Sequence, residues 1–339
     1  MSASIEMGSV NTRATRKPYT PLRTLKFLAL REYWDFKNLF VVLPLVLSFV
    51  LLMFFSFVFV SLINQPITSN AQQTSEYLVS VFVAGNIFPT IFMWLSWTLA
   101  FVSLYYLMSA LQADRADRSV LFWKSLPIAD WELVLSKLVL PLIVAPLIAF
   151  VLSLLTYLIL AVVIGIYASL HGLSVMGSML FQAQTWREPF QVMVTLPIYV
   201  LWALPTVGWV LMVSAWTKSR VFPWVLGAPL LAWLIVVFGN FYYKLNIDIL
   251  WWSVNAFSRL VGGLFPGMWT LVDSIEPQTL VDSIEPQIFA SEKRNLFILQ
   301  SVYQQAWLEL VGLRLWLGAL CGAVFISVAI RLRRYADVI

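Results

Sequence analysis

The sequence predicts an all-α integral membrane protein with six transmembrane helices, on three observations. Of 339 residues, 60% are apolar and only 12% are charged, with a mean hydropathy of +0.83. Soluble domains carry roughly 25% charged residues. Six runs lack Asp, Glu, Lys and Arg altogether: 38–75, 77–113, 138–186, 189–217, 221–243 and 315–330. A spanning helix needs about 20 mainly apolar residues. The runs are too long and too unalternating for barrel strands, which leaves helices as the way to close backbone hydrogen bonds in lipid. The spans are placed at about 40–63, 86–111, 138–168, 194–216, 222–243 and 311–331.

Residues 1–21 are Ser/Thr/Arg-rich and read as a disordered cytoplasmic N-terminus. They do not read as a cleavable signal, because basic and polar residues precede an apolar run too long for that role. From 22 to 339 the chain reads as a single transmembrane domain. Residues 22–37 form a helix before the first span. Leu22, Leu25, Ala29, Tyr33 and Phe36 share one face; Phe27, Leu30 and Trp34 make a second apolar patch. Arg23, Lys26 and Lys37 fall between the two, where long stems can lie on apolar surface with the charge in water. Such a basic, aromatic helix is expected to lie in the membrane interface.

A polar loop is expected at 64–85. Between spans two and three, residues 112–132 are charged and aromatic. Arg115, Arg118 and Lys124 alternate with Asp114 and Asp117, which suits a solvated helix. Val120, Leu121, Phe122, Trp123 and Leu126 offer an apolar patch, and aromatic anchors with a charged rim are what interfaces use. Pro127 should stop this helix and Asp130 should cap the next. After span three comes a loop with His171, Arg187, Glu188 and Pro189. Residues 217–220 are a tight turn, so spans four and five form a hairpin. The region 244–310 is the largest outer segment, and its stretch 249–261 is expected to lie on, or dip into, the interface. Within it, nine residues from Thr270 to Gln278 are repeated from Thr279 to Gln287, which reads as a local duplication in a loop. Arg314 and Arg331 bracket the last span, and Cys321 inside it reads as a small packing residue.

Basic residues orient the chain. With the N-terminus inside, 16 of the 22 Lys and Arg fall on the inner side and 6 on the outer, a strong positive-inside bias. Both termini are therefore expected in the cytoplasm of a multi-pass protein.

Several chemistries lack their residues. There is no Gly-x-x-x-x-Gly-Lys-Ser/Thr to cradle phosphates, no His-Glu-x-x-His and no Gly-x-Ser-x-Gly. The single histidine, His171, cannot build a histidine metal cluster. The chain is therefore expected not to be an enzyme, with no metal and no cofactor of its own. Nothing points to nucleic acid. No ionisable residue lies inside a span away from its ends, which weakens an ion-coupled carrier.

The order of parts resembles the permease subunits of ABC-2-type ABC exporters. A basic elbow helix at 22–37, with Leu-Arg-Glu-Tyr-Trp at residues 30–34, leads into span one. The segment Asp-Arg-Ala-Asp-Arg-Ser-Val-Leu-Phe-Trp-Lys-Ser-Leu-Pro from Asp114 to Pro127 follows span two, and an interfacial region precedes the last span. The resemblance covers nearly all of the chain from residue 22, although the outer region is longer than in minimal members. It implies a complex of two permeases, this chain with a second copy or a homologue, and two ATP-binding subunits that carry ATP and Mg. It implies a place in the bacterial inner membrane, among membrane lipid. It assigns ATPase coupling to Asp114, Arg115, Asp117, Arg118, Leu121, Phe122, Trp123, Lys124, Leu126 and Pro127, braced by Arg31, Glu32 and Trp34 of the elbow helix. The expected function is the membrane-spanning half of an ATP-driven exporter. A secondary transporter or channel, and a structural subunit of a membrane complex, stay open beside it.

Overall fold

A computed structural model describes residues 21–64, 71–84, 87–116, 128–217, 220–244, 258–266, 307 and 310–335. All of the regular structure among these residues is helical. Six helices are long and apolar enough to cross a membrane, within Leu22–Ile63, Glu76–Asp114, Asp130–Leu170, Met176–Trp216, Val221–Tyr243 and Leu315–Tyr335. The end of the bundle at which Glu32, Asp114, Lys137 and Arg333 meet is called here the terminal side.

The first helix, α1 (Pro21–Lys37), passes through a π-helical turn (Asn38–Val42) into α2 (Leu43–Ile63). The sequence led us to expect a separate helix at 22–37; the structure instead has unbroken helical backbone. Pro44 explains the turn. It has no N–H to give to Phe40, and its ring would crowd that carbonyl, so one turn takes an extra residue. The extra residue also keeps the inward face in register. Phe36, Phe40 and Pro44 are four apart, and a four-residue step overshoots an α-helical turn by about 40° each time. One inserted residue takes that drift back, so Phe40 and Pro44 are both buried.

The same device recurs. Helix α3 (Ala71–Ala84) and α4 (Ile87–Ala116) precede α5 (Asp130–Val139), which passes through a second π turn (Leu140–Val144) into α6 (Ala145–Leu170). Pro141 and Pro146 stand at this turn. The α1–α2 and α5–α6 units lie side by side and run the same way. Leu28 meets Leu133 near one end, the Ser48 and Thr156 hydroxyls bond in the middle, and the Tyr167 hydroxyl donates to Asn64 at 3.1 Å near the other. Both π turns therefore fall at one level of the bundle.

Helix α7 (Met176–Phe181), α8 (Ala183–Trp216), α9 (Val221–Tyr243), α10 (Ser258–Val261) and α11 (Leu313–Tyr335) complete the described elements. The core is formed mainly by α4, α6 and α8, with α11 closely packed on α8. Gly322 makes that crossing possible: a Cβ there would come within 2.6 Å of the Leu204 backbone. Helix α9 buries only its first half, at Val221, Val225 and Pro229.

Two expected loops are helical. Residues 64–85 hold α3, because Thr74, Leu78 and Phe82 recur every four residues and are buried. Arg187, Glu188 and Pro189 belong to α8, which starts well before the predicted span. Asp130 does not cap α5 either: it is the first helical residue. Glu132 reaches back to accept the Ala129 N–H at 3.3 Å.

Candidate functional site

The terminal side of the bundle holds a buried cluster of opposite charges. Glu32 comes from α1, Asp114 from the last turn of α4, Lys137 from α5 and Arg333 from the last turn of α11. Lys137 Nζ lies 3.0 Å from Glu32 Oε1 and 3.3 Å from Asp114 Oδ2; Arg333 Nη2 lies 4.0 Å from the same Asp114 oxygen. The Tyr106 hydroxyl donates to Glu32 Oε2 at 3.0 Å. Lys137 and Arg333 are 4% and 5% exposed, so these charges are out of bulk water. The four sum to zero, as a buried group must approach if its desolvation is to be offset.

Local packing fixes each partner. Phe36 and Phe40 meet the Tyr106 ring edge-on at 4.8 and 5.9 Å, which sets the height of α1 against α4. Leu28 packs with Leu133, placing Glu32 one turn on opposite Lys137. The Ser214 hydroxyl donates to the Met108 carbonyl at 2.8 Å and accepts the Leu111 N–H at 3.3 Å, tying α8 to α4 near the same level. Glu132 is fully buried on α5, and Asp130 as well as Asp114 lies in the field of Arg333. Five helices are thus joined at one end by ionic and hydroxyl contacts.

The expected coupling residues divide at this point. Asp114 is in the cluster, and Arg115 follows it in α4. Asp117, Arg118, Leu121, Phe122, Trp123, Lys124, Leu126 and Pro127 lie outside the described residues. Of the elbow residues, Glu32 faces the cluster. Trp34 is 61% exposed, and Arg31 pairs with Asp35 at 3.7 Å on the exposed side. Lys137 and Arg333 served the sequence reading only as inside charges. Their one signal was position, since each stands at the terminal-side end of an apolar run.

A second polar feature lies deeper. Residues 258–266 pack into the bundle beside α4, α8 and α11. Thr206 donates to the Arg259 carbonyl at 2.6 Å and accepts the Gly263 N–H at 3.0 Å, while Tyr199 donates to the Leu264 carbonyl at 2.8 Å. Trp97 donates to the Pro266 carbonyl at 3.3 Å, and Phe265 packs on Trp97 and Phe101. The Arg259 guanidinium stacks over Trp202 at 4.1 Å, with Gly318 so close that a Cβ there would come within 2.8 Å of it. Thr206 is ten residues from Trp216, where α8 ends. At 1.5 Å per residue that is about 15 Å, half of a hydrocarbon core about 30 Å thick. The sequence reading counted Arg259 with the outer charges. The structure shows its segment packed against α8 and α11.

The tandem repeat at 270–287 lies outside the described residues. Between α4, α6 and α8, and bordered by Pro266, is a cavity of about 30 Å³ lined by Ser96, Thr195 and Tyr199 among apolar neighbours. It has room for about one or two waters. By contrast, Trp94, Trp97, Phe101 and Tyr105 form an exposed aromatic stripe along α4. No group of three or more His, Cys, Asp or Glu that could hold a metal occurs among the described residues. Comparison with family models, with curated proteins and with solved structures returned no match.

Proposed function

We propose that this chain is the membrane-spanning permease subunit of an ATP-driven exporter of ABC-2 type, and that residues 114–127 receive a separate ATP-binding subunit. The charge cluster is the observation that carries the reading. Asp114 and Lys137 flank the coupling segment, and they are ion-paired to each other, to α1 and to α11. A displacement of the segment therefore bears on several helices at once. The partner binds ATP and Mg and does the hydrolysis, since this sequence has no phosphate-cradling loop. Closure of two such partners moves the segment, and the rigid cluster passes the movement to the α1–α2 and α5–α6 units.

Two permeases would meet with the path between them. The exposed stripe of Trp94, Trp97, Phe101 and Tyr105, beside an interior cavity too small for a solute, supports that arrangement. An aromatic lining suits an apolar or amphipathic substrate. The membrane is the bacterial inner membrane, with both termini cytoplasmic.

The test is capture of the ATP-binding subunit. Phe122→Ala with Trp123→Ala should weaken capture, at a cost of roughly 2–4 kcal/mol if the two are anchors, with the detergent melting temperature unchanged. Normal capture with reduced melting would instead make them lipid contacts. Arg259 favours a second reading, a secondary transporter or channel, because a charge in the bundle interior is what coupled carriers use. Solute flux through the purified chain alone, without ATP, would select it.

A further inference from the structure

We propose that the cavity between α4, α6 and α8 is a binding site for ordered water, which joins the Ser96 hydroxyl of α4 to the other two helices. The hydroxyls of neighbouring turns set the contrast. On α4, Thr98 donates to the Trp94 carbonyl at 3.0 Å, and Ser109 to those of Tyr105 and Tyr106 at 3.2 and 3.0 Å. On α6, Ser153, Thr156 and Ser169 likewise bond to carbonyls of the preceding turn. Back-bonding of this kind is the ordinary way to satisfy a hydroxyl inside a helix. Ser96 does not use it. It is 8% exposed, it lines the cavity, and its Oγ has no hydrogen-bond partner among the described residues. A buried hydroxyl left in that state is costly.

The walls define what fits. Thr195 donates to the Val192 carbonyl at 2.9 Å, and Tyr199 to the Leu264 carbonyl at 2.8 Å. Each of these α8 hydroxyls has spent its hydrogen and offers lone pairs, whereas Ser96 keeps its hydrogen. The occupant must therefore donate to α8 and accept from α4, which one water does. Three hydroxyls are too few for a hard cation such as calcium, which takes about six to eight oxygens. The volume of about 30 Å³ exceeds the roughly 10–15 Å³ that a water needs, and the polar partners it requires are in the walls.

The α6 wall gives water a further task. Pro146 lines the cavity and has no N–H to give to the Leu142 carbonyl one turn before it. In a membrane span, carbonyls released by proline are satisfied by neighbouring hydroxyls or by ordered water. The site therefore stands where α6 leaves its π turn. It links the three core helices through a bond that can exchange, unlike the direct ion pairs of the charge cluster.

The inference is independent of the exporter reading, and its test needs no ATPase. The full chain in nanodiscs is exposed to millisecond X-ray radiolysis. Bound water then yields hydroxyl radicals that oxidise the side chains beside it, read by mass spectrometry. Tyr199, in the cavity wall, should be oxidised. Phe82, fully buried between the Phe59 and Tyr157 rings, should not. Ser96→Val removes the hydroxyl and fills the space, and should abolish oxidation of Tyr199; Ser96→Thr keeps a hydroxyl and should retain it. Tyr199 as unreactive as Phe82 in the unaltered chain overturns the proposal, since the cavity is then dry. That comparison needs no variant, so it decides even where Ser96→Val does not fold. Undiminished oxidation of Tyr199 in folded Ser96→Val also overturns the proposal, because the radicals then come from bulk water.

Discussion

Lys137 has two carboxylates and almost no water, which makes it the most consequential single residue of the described structure. Replacing it with methionine keeps the stem and removes the charge, leaving Glu32 and Asp114 facing each other without it. Breaking a buried pair from one side costs about 3–5 kcal/mol. Lys137→Met should therefore lower the detergent melting temperature sharply, and adding Asp114→Asn should restore part of the loss. Equal melting of Lys137→Met and the unaltered chain would show that water reaches the cluster. The sequence disclosed the ingredients but not the cluster. Glu32 and Asp114 were singled out for a partner ATPase, and Lys137 and Arg333 for orientation. Their pairing joins residues up to 219 positions apart, between Asp114 and Arg333. No local pattern carries such information.

Among the elements, apolar length made the spans legible, and helix-forming spacing was less visible where polar residues diluted it. Helix α3 was hidden by Gln72, Gln73 and Glu76, although Leu78 and Phe82 supplied a buried stripe. The π turns were hidden for another reason: prolines announce a break, but not whether the chain kinks or inserts a residue. The α8–α11 crossing was equally silent, since glycines are common in membrane helices. It makes a definite prediction. Gly322→Leu pushes a side chain into the Leu204 backbone, and overpacking of this kind costs about 1–3 kcal/mol. Gly227→Leu on α9 meets nothing within 4 Å and should be tolerated. Melting of the two variants side by side checks this; equal loss would mean that α9 is covered at Gly227.

For the whole molecule, the sequence reading of six spans, with 16 of 22 basic residues on one side, predicts that both ends of the chain lie in the cytoplasm. With Cys321→Ser as background, cysteines at Ser2 and Asp337 should resist impermeant thiol reagents in intact cells, and one at Ser291 should react. Reaction at Ser2 would invert the arrangement. The same long-range architecture constrains how the protein is made. Glu32, Asp114 and Lys137 have all been synthesised when less than half of the chain exists, whereas Arg333 arrives only with the final turn of α11. Until then Lys137 alone faces two carboxylates, and the nascent bundle carries an uncompensated negative charge where lipid and water meet. Assembly order is thus written into the energetics: α11, synthesised after α1, α4 and α5, brings the ion that neutralises them.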